Sequence, residues 1–203
     1  MPDITDLTNL DESLAVGAAL VSRLQALTYH SGQADKVKAV FAAWATPEDV
    51  REYPSIAVVV READYDAQNL SPAVLDETYD AVTKTVLVQD AEWVSDVEVH
   101  IVCTDPVQRS RVVKAVRERL MGETLWDGKA ETYGVDLSVP GYFGGVYPAK
   151  VSLRRVRFED TDSLATQRER RAVLYATVRL PVLRRVSVAE LQPSAEFMVE
   201  GGA

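Results

Sequence analysis

The chain has 203 residues and a net charge of −9, and 47% of its residues are hydrophobic. This length suggests one domain that is large enough to fold without a disulfide or a metal. The composition is that of a globular protein and excludes the fibrous and disordered classes. Because general affinity for DNA comes mostly from neutralised phosphates, an acidic chain is a poor candidate for a DNA-binding protein.

Local features exclude further classes. The longest unbroken aliphatic run, Ile56–Val60, is far too short to span a membrane, and the acidic N-terminal residues show no apolar signal core. The single Cys103 excludes an intrachain disulfide and a cysteine-based zinc site, while His30 and His100 leave little for a histidine metal centre. We therefore expect a protein of a reducing cytoplasm, without cofactor, metal or membrane contact.

The charge is distributed unevenly along the chain. Residues 1–104 hold 6 basic and 18 acidic side chains, a balance of −12, whereas residues 105–203 hold 16 and 13, a balance of +3. This asymmetry predicts that contacts with partners depend on charge.

The first part of the chain predicts one helix and several short strands. Apolar residues at three- and four-residue steps predict a helix over residues 7–27 that ends near 29–32. Its predicted stripe consists of Leu7, Leu10, Leu14, Ala18, Val21, Leu24 and Leu27. The strands that follow are short and separated by polar segments: strands at 37–45, 55–61 and 82–89, with breaks at 46–49 and 63–72.

The clearest strand pattern is Trp93–Thr104, where apolar residues share one parity and Asp96, Glu98 and His100 share the other. One buried face and one wet face are typical of an antiparallel sheet. A second helix follows, because Thr104 or Asp105 can cap it and Pro106 suits its first position. This helix is predicted to bury Val112, Val113, Val116 and Leu120, to expose Arg111, Lys114 and Arg117, and to end at Gly122.

The last part of the chain combines turn-rich segments with long strands. Residues 122–148 are rich in glycine and proline and predict an extended aromatic loop. Strands at 150–159 and 171–186 then form a long β-hairpin around a polar loop at 160–170, and the tail at 193–203 is predicted to be flexible. We therefore predict an α+β fold, a mostly antiparallel sheet with two helices packed on it and a long β-hairpin, in a single domain over residues 1–203 with its core at 7–186.

The search for catalytic chemistry yields no catalytic residue. Cys103 and His100 are the first pair to test as nucleophile and base, but their odd spacing places their side chains on opposite faces of one strand. Glu159, Asp160 and Asp162 could hold a divalent cation, but a calcium loop would need a glycine and a terminal glutamate that are missing here. A solvated loop is the favoured interpretation.

Two groups of residues are candidate interaction surfaces. Basic residues crowd the second helix and the strand that holds Arg154, Arg155 and Arg157. They favour contact between subunits over a nucleic-acid surface, because few aromatic residues lie nearby for base stacking. The aromatic residues of 122–148 either fill the core or mark an interface, where aromatics are enriched. The predicted interface residues are Arg111, Lys114, Trp126, Tyr142, Phe143 and Tyr147.

The order of elements resembles the tail terminator and neck proteins of tailed bacteriophages. The similarity lies in the alternating strand Trp93–Asp105, the basic stretch Arg109–Arg111 with the helix Val112–Leu120, and the late strand Arg171–Arg179. It covers residues 7–186 and includes no invariant signature. The loops at 122–148 and 160–170 exceed the compact pattern of the family.

The resemblance implies a structural, non-enzymatic role in the virion, after assembly in the host cytoplasm. Family members form a homo-oligomeric ring, commonly a hexamer, at the head-proximal end of the tail tube, where it stops tube growth and docks the head-completion protein. The implied partners are the chain itself, the tail tube protein, the head-completion or neck protein and the sheath protein. Genomic DNA passes through an acidic channel without specific binding. The alternatives are another neck or head-completion protein, or a small enzyme with an unrecognised carboxylate site.

Overall fold

The computed structural model describes residues 11–30, 35–43, 52–66, 73–82, 84–121, 134–142, 145–159 and 169–187. The described ranges contain two helices and seven strands: α1 Glu12–Leu24, β1 Ala39–Phe41, β2 Ser55–Asp66, β3 Ala73–Asp80, β4 Thr85–Cys103, α2 Pro106–Met121, β5 Gly134–Tyr142, β6 Gly145–Glu159 and β7 Arg170–Ser187. None of these helices is long and apolar enough to cross a membrane.

The strands form one mixed sheet that is mostly antiparallel, which confirms the predicted α+β class. The strand order is β1-β2-β4-β7-β6-β5, and β3 pairs with β4 outside this path. Strand β1 runs parallel to β2, whereas β3 with β4, β5 with β6, and β6 with β7 are antiparallel. The predicted long hairpin is present, with Glu159 opposite Arg171 and Lys150 opposite Arg179.

Helix α1 is shorter than predicted, and its predicted apolar stripe is wrong in part: Leu24 is buried as predicted, but Leu14 is not. Asp11 caps its N-terminus by accepting a 2.8 Å hydrogen bond from the Leu14 amide. The helix ends at Leu24 because Ala26 takes a left-handed conformation, with φ of 54°. Leu14 is 56% exposed, whereas the buried face consists of Ala15, Val16, Gly17, Ala19, Leu20 and Leu24. Small residues on this face bring the helix close to β2: a Cβ added at Gly17 would lie 3.6 Å from a Val60 methyl.

The central strands are longer than the sequence predicted. Strand β2 continues to Asp66 through part of the predicted polar connection, and strand β3 was not predicted at all. The two strands predicted at 82–89 and 93–104 are one continuous strand, β4. Residues 90–92, between the two predicted strands, belong to β4 as well, and Gln89 just before them is paired with Ala73 of β3.

The predicted loop at 122–148 is corrected in part. Residues 134–142 form β5, and β6 begins at Gly145, so much of this segment is a β-hairpin. Its antiparallel register runs from Gly134 opposite Ser152 to Tyr142 opposite Gly145. Because turn-forming residues dominate the sequence here, the pattern predicted a loop and no strands. Residues 122–133, 160–168 and 188–203 lie outside the described residues, and so do the tail predicted to be flexible and most of the predicted loop at 160–170.

Helix α2 agrees closely with its prediction. Asp105 caps it, because its carboxylate accepts a 2.7 Å hydrogen bond from the Gln108 amide. Val112, Val113, Val116 and Leu120 are buried, and Arg111, Lys114 and Arg117 are exposed. Arg109 is the exception among the basic residues. It is only 9% exposed, donates a 3.3 Å hydrogen bond to the Arg171 carbonyl, and stacks over the Phe158 ring at 4.8 Å.

The chain divides into two compact units. The first comprises residues up to Asp64 and Trp93–Leu180, and its core contains Trp93, Leu20, Ile101, Leu174 and Leu180, each at most 2% exposed. The second comprises Tyr65–Glu92 and the residues from Pro181 onward, and its small apolar cluster consists of Val86, Val88 and Val186. A single domain over residues 1–203 stays a prediction.

Candidate interaction surface

The most distinctive feature of the first unit is an open cavity of about 800 Å³ on the polar face of the sheet. Strands β2, β4, β7 and β6 are neighbours in the sheet and supply its lining. We call it the charged cleft, and its lining residues are Val60, Arg61, Glu62, Asp96, Glu98, Arg154, Arg155, Tyr175 and Ala176. Pairs of opposite charge link the strands across this surface.

The β2 side of the cleft is closed by an ion pair. The Arg61 guanidinium donates two hydrogen bonds to the Glu98 carboxylate, at 3.1 and 2.8 Å. An imidazole nitrogen of His100 lies 2.9 Å from the same carboxylate. The hydrogen bond from Arg61 lowers the pKa of Glu98, an effect larger than the increase that burial causes, and the contact with His100 lowers it further. Glu98 therefore carries a charge that is already neutralised within the subunit.

In the middle of the cleft, the contacts between side chains are longer and more exposed. Asp96 of β4 accepts a 3.1 Å hydrogen bond from the Thr177 hydroxyl of β7. Arg154 of β6 approaches the same Asp96 oxygen at 3.5 Å, and the two side chains of this pair are 61% and 62% exposed. Such exposed, long pairs contribute little to stability, so this guanidinium can exchange its partner at small cost.

A β-bulge shapes the β6 side. Leu153 is paired with Ala176 and Arg155 with Tyr175, so Arg154 is an extra residue in the register. Adjacent residues of a regular strand point to opposite faces, and the bulge instead lets both Arg154 and Arg155 line the cleft. The Arg155 guanidinium stacks over the Tyr175 ring at 4.2 Å.

A second polar cluster fixes the end of the β6–β7 hairpin. Glu169 accepts a 2.8 Å hydrogen bond from the Tyr53 hydroxyl and hydrogen bonds of 3.3 and 2.7 Å from Arg171. Burial would raise the pKa of Glu169, but the hydrogen bonds from Arg171 and Tyr53 outweigh burial and lower it. Burial, reinforced by Glu169, raises the pKa of Tyr53. The cluster ties β7 to the segment before β2, which is a structural role.

Cys103 and His100 do not form a catalytic pair. Cys103 is 0% exposed and belongs to the core, whereas His100 lies on the polar face beside Glu98. Burial raises the pKa of the Cys103 thiol to about 12, and the nearby Asp105 carboxylate adds to the shift. Reactive cysteines have lowered pKa values, so this thiol is unreactive.

The predicted interface residues fall into two groups. Arg111 and Lys114 lie on the exposed face of α2, where Lys114 is 3.7 Å from Glu118. Tyr142 ends β5 and Tyr147 lies near the start of β6. Trp126 and Phe143 lie outside the described residues, and the contribution of all six residues to an interface stays a prediction.

The carboxylate hypothesis gains no support from the described part of the chain. Among those residues no group of three or more His, Cys, Asp or Glu side chains could hold a metal ion. Glu159 is 3.6 Å from Arg157, while Asp160 and Asp162 lie outside the described residues.

The charged cleft itself was not predicted from the sequence. Parity placed Asp96, Glu98 and His100 on one wet face, which the structure confirms. Their partners are distant along the chain: Arg61 is 37 positions from Glu98, and Thr177 is 81 positions from Asp96. Only the strand order brings these residues together. Because of the bulge, Arg154 and Arg155 line the same cleft although they are adjacent in sequence. An alternating strand pattern would have predicted them on opposite faces.

Comparisons with known proteins add little to this geometry. No family model matches the chain, and no curated protein matches it. Among solved structures it is similar to a chain of the "Virion of native gene transfer agent (GTA) particle". That similarity has a TM-score of 0.38 and 13% sequence identity, and covers 84% of this chain and 90% of the other. A likeness of this size carries no argument about function.

Proposed function

We propose that the protein is a structural component of a phage-type virion, and specifically a tail terminator that forms a ring at the head-proximal end of the tail tube. The observation that carries the proposal is the run from β4 into α2. The strand presents a buried Trp93 and an alternating pattern, ends at Cys103, and passes through the Asp105 cap into a helix with a basic outer face. This is the order of elements that resembles the terminator and neck proteins.

The surfaces of the first unit suit contacts with other protein chains. The outer face of α2 exposes Arg111, Lys114 and Arg117, and the charged cleft exposes Arg154 and Arg155. The first 104 residues carry a balance of −12, so the same chain also contains the acidic residues that such a contact needs. When unlike surfaces of identical subunits meet, a ring results if the rotation closes.

In this proposal the ring stops growth of the tail tube and offers its other side to the head-completion protein. The tube protein, the neck protein and, in a contractile tail, the sheath protein are the partners. Genomic DNA crosses the ring without specific binding, because the net charge of −9 on each subunit disfavours contact with phosphates.

The mass of the native particle tests the proposal. Native mass spectrometry of the purified chain, with electron microscopy of the same sample, should show a closed ring whose mass is a multiple of 22.4 kDa, with six subunits as the expected number. A chain that stays monomeric at high concentration and low ionic strength would contradict the ring. The addition of the ring to polymerising tail tube protein should then shorten the tubes, and an unchanged tube length would point to another layer of the neck.

A further inference from the structure

The charged cleft contains one arginine whose charge no carboxylate of the described residues neutralises. Arg61 is paired with Glu98, and Arg154 lies at a long 3.5 Å from Asp96. Arg155 instead has its guanidinium over the Tyr175 ring. Stacking on an aromatic face leaves the edge of the guanidinium, with its N–H donors, directed away from the ring.

The bulge places two arginine side chains of the chain in this part of the cleft. It brings Arg154 beside Arg155 in the same cleft, and both side chains are exposed. A guanidinium binds a carboxylate through two parallel hydrogen bonds, and such charge-assisted bonds are stronger than neutral ones. A carboxylate entering here would meet the edge of Arg155 and could take Arg154 from its weak contact with Asp96.

The acidic residues of the cleft limit what else can bind. Asp96 and Glu98 lie on the same face as the two arginines and would repel a densely charged polyanion such as a nucleic acid. Glu62 is also exposed and lines the same cleft, so it adds a third carboxylate to the repulsion. The cleft thus suits one or two carboxylate groups of a protein surface.

We propose that the charged cleft binds an acidic surface of a second copy of this chain, with Arg155, stacked on Tyr175, and Arg154 as the carboxylate-binding groups. This inference rests on the proposed ring and names the contact that closes it. Residues 1–104, with their balance of −12, provide the complementary charge. Arginine and tyrosine are also among the residues that contribute most to binding at protein interfaces.

The test compares two variants of similar chemistry. The double variant Arg154→Gln and Arg155→Gln removes both charges from the cleft, and Arg157→Gln is the control. Arg157 is on the same strand, and its side chain is 65% exposed, but it is paired with Glu159 and lies outside the cleft lining. Sedimentation velocity at low ionic strength gives the assembly constant of each protein, and thermal unfolding confirms that each one folds.

We expect the double variant to raise the dissociation constant of the assembly by about tenfold or more, as does the loss of an arginine that contributes strongly to an interface. The control should assemble like the original chain. If the original chain forms a ring and the double variant forms it equally well, this inference is wrong although the ring stands. A monomeric original chain would overturn both. Binding of a labelled oligonucleotide that is lost only in the double variant, with assembly unchanged, would show that the cleft binds phosphates and would also overturn the inference.

Discussion

Cys103 ends strand β4 with a fully buried side chain and a thiol whose pKa burial raises to about 12. It fills core volume and takes no part in chemistry. We expect Cys103→Val to preserve assembly and to reduce the free energy of unfolding by about 1 kcal/mol, because the two side chains have similar volumes. Chemical denaturation and native mass spectrometry measure these two effects. A variant that folds normally and does not assemble would contradict the interpretation.

The Glu98 carboxylate links β4 to β2 through Arg61, and the Arg61 hydrogen bond is the main reason for its lowered pKa. A lowered pKa stabilises the folded chain above the usual value of 4.5, and the gain is lost as pH falls through the lower folded-state value. We expect Glu98→Gln to cost about 1 kcal/mol at neutral pH and progressively less below pH 4.5.

Urea unfolding at a series of pH values measures this difference. Glu118→Gln is the matched control, because its carboxylate is 66% exposed and lies at a long 3.7 Å from Lys114 on the surface of α2. Its cost should be small, because exposed ion pairs contribute little to stability. An equal cost for Glu98→Gln at about pH 3 and pH 7, on either side of the usual carboxyl pKa, would show that the Arg61 pair does not contribute through its charge.

At the scale of an element, helix α2 separates a buried apolar stripe from an exposed basic face. We expect reversal of Arg111 and Lys114 to Glu to weaken ring assembly, because the exposed face would then repel an acidic neighbour. The Lys114→Glu change also places a second carboxylate beside Glu118, which costs the helix only about a few tenths of a kcal/mol. Lys150→Glu on the exposed side of β6 is the control, and sedimentation velocity compares the variants. Unchanged assembly in the double variant would remove α2 from the interface.

The β5–β6 hairpin replaces much of the loop that the sequence predicted. Its backbone groups are paired from Gly134 opposite Ser152 to Tyr142 opposite Gly145. We expect the paired amides of β5 to exchange slowly with solvent in the free subunit, because opening them requires the loss of several hydrogen bonds together. Hydrogen exchange read peptide by peptide measures this, and exchange at the rate of an unfolded peptide would contradict it.

The same experiment on the assembled protein tests the predicted role of Tyr142 and Tyr147. If these residues contact a neighbour, the peptides that contain them should gain protection in the ring. Equal protection in both states would indicate that they serve the hairpin of their own subunit, and the interface would then depend on the basic surfaces alone.

For the whole molecule, the separation of charge along the chain predicts an assembly that depends on salt. Exposed ion pairs are screened at high ionic strength, over a Debye length of about 10 Å at 0.1 M salt. We therefore expect the dissociation constant of the ring to rise steadily with sodium chloride concentration, while the thermal midpoint of the subunit changes little. Static light scattering across a salt series measures the first effect. Assembly that is independent of salt would show that charge complementarity does not close the ring.

The sequence by itself determined the local structure of the second half of β4 and of α2, where the alternation and the cap were clear. The alternation in Trp93–Thr104 predicted the buried and wet faces of the second half of β4, and Asp105 with Pro106 predicted the start of α2. These signals are local, because a cap forms within one turn and a strand alternates residue by residue. The α+β class and the β6–β7 hairpin followed from the same patterns.

Tertiary structure decided the features that depend on distant partners. Strands β3 and β5 form because each pairs with a neighbouring strand, although Asp, Gly and Pro weaken their own preference for extended structure. The buried face of α1 contains Gly17 because β2 lies close to it, and Leu14 is left exposed. The charged cleft requires the order β2-β4-β7-β6 and a bulge at Arg154. No local sequence pattern shows which strands become neighbours, because the strand order depends on how the whole sheet buries its apolar residues.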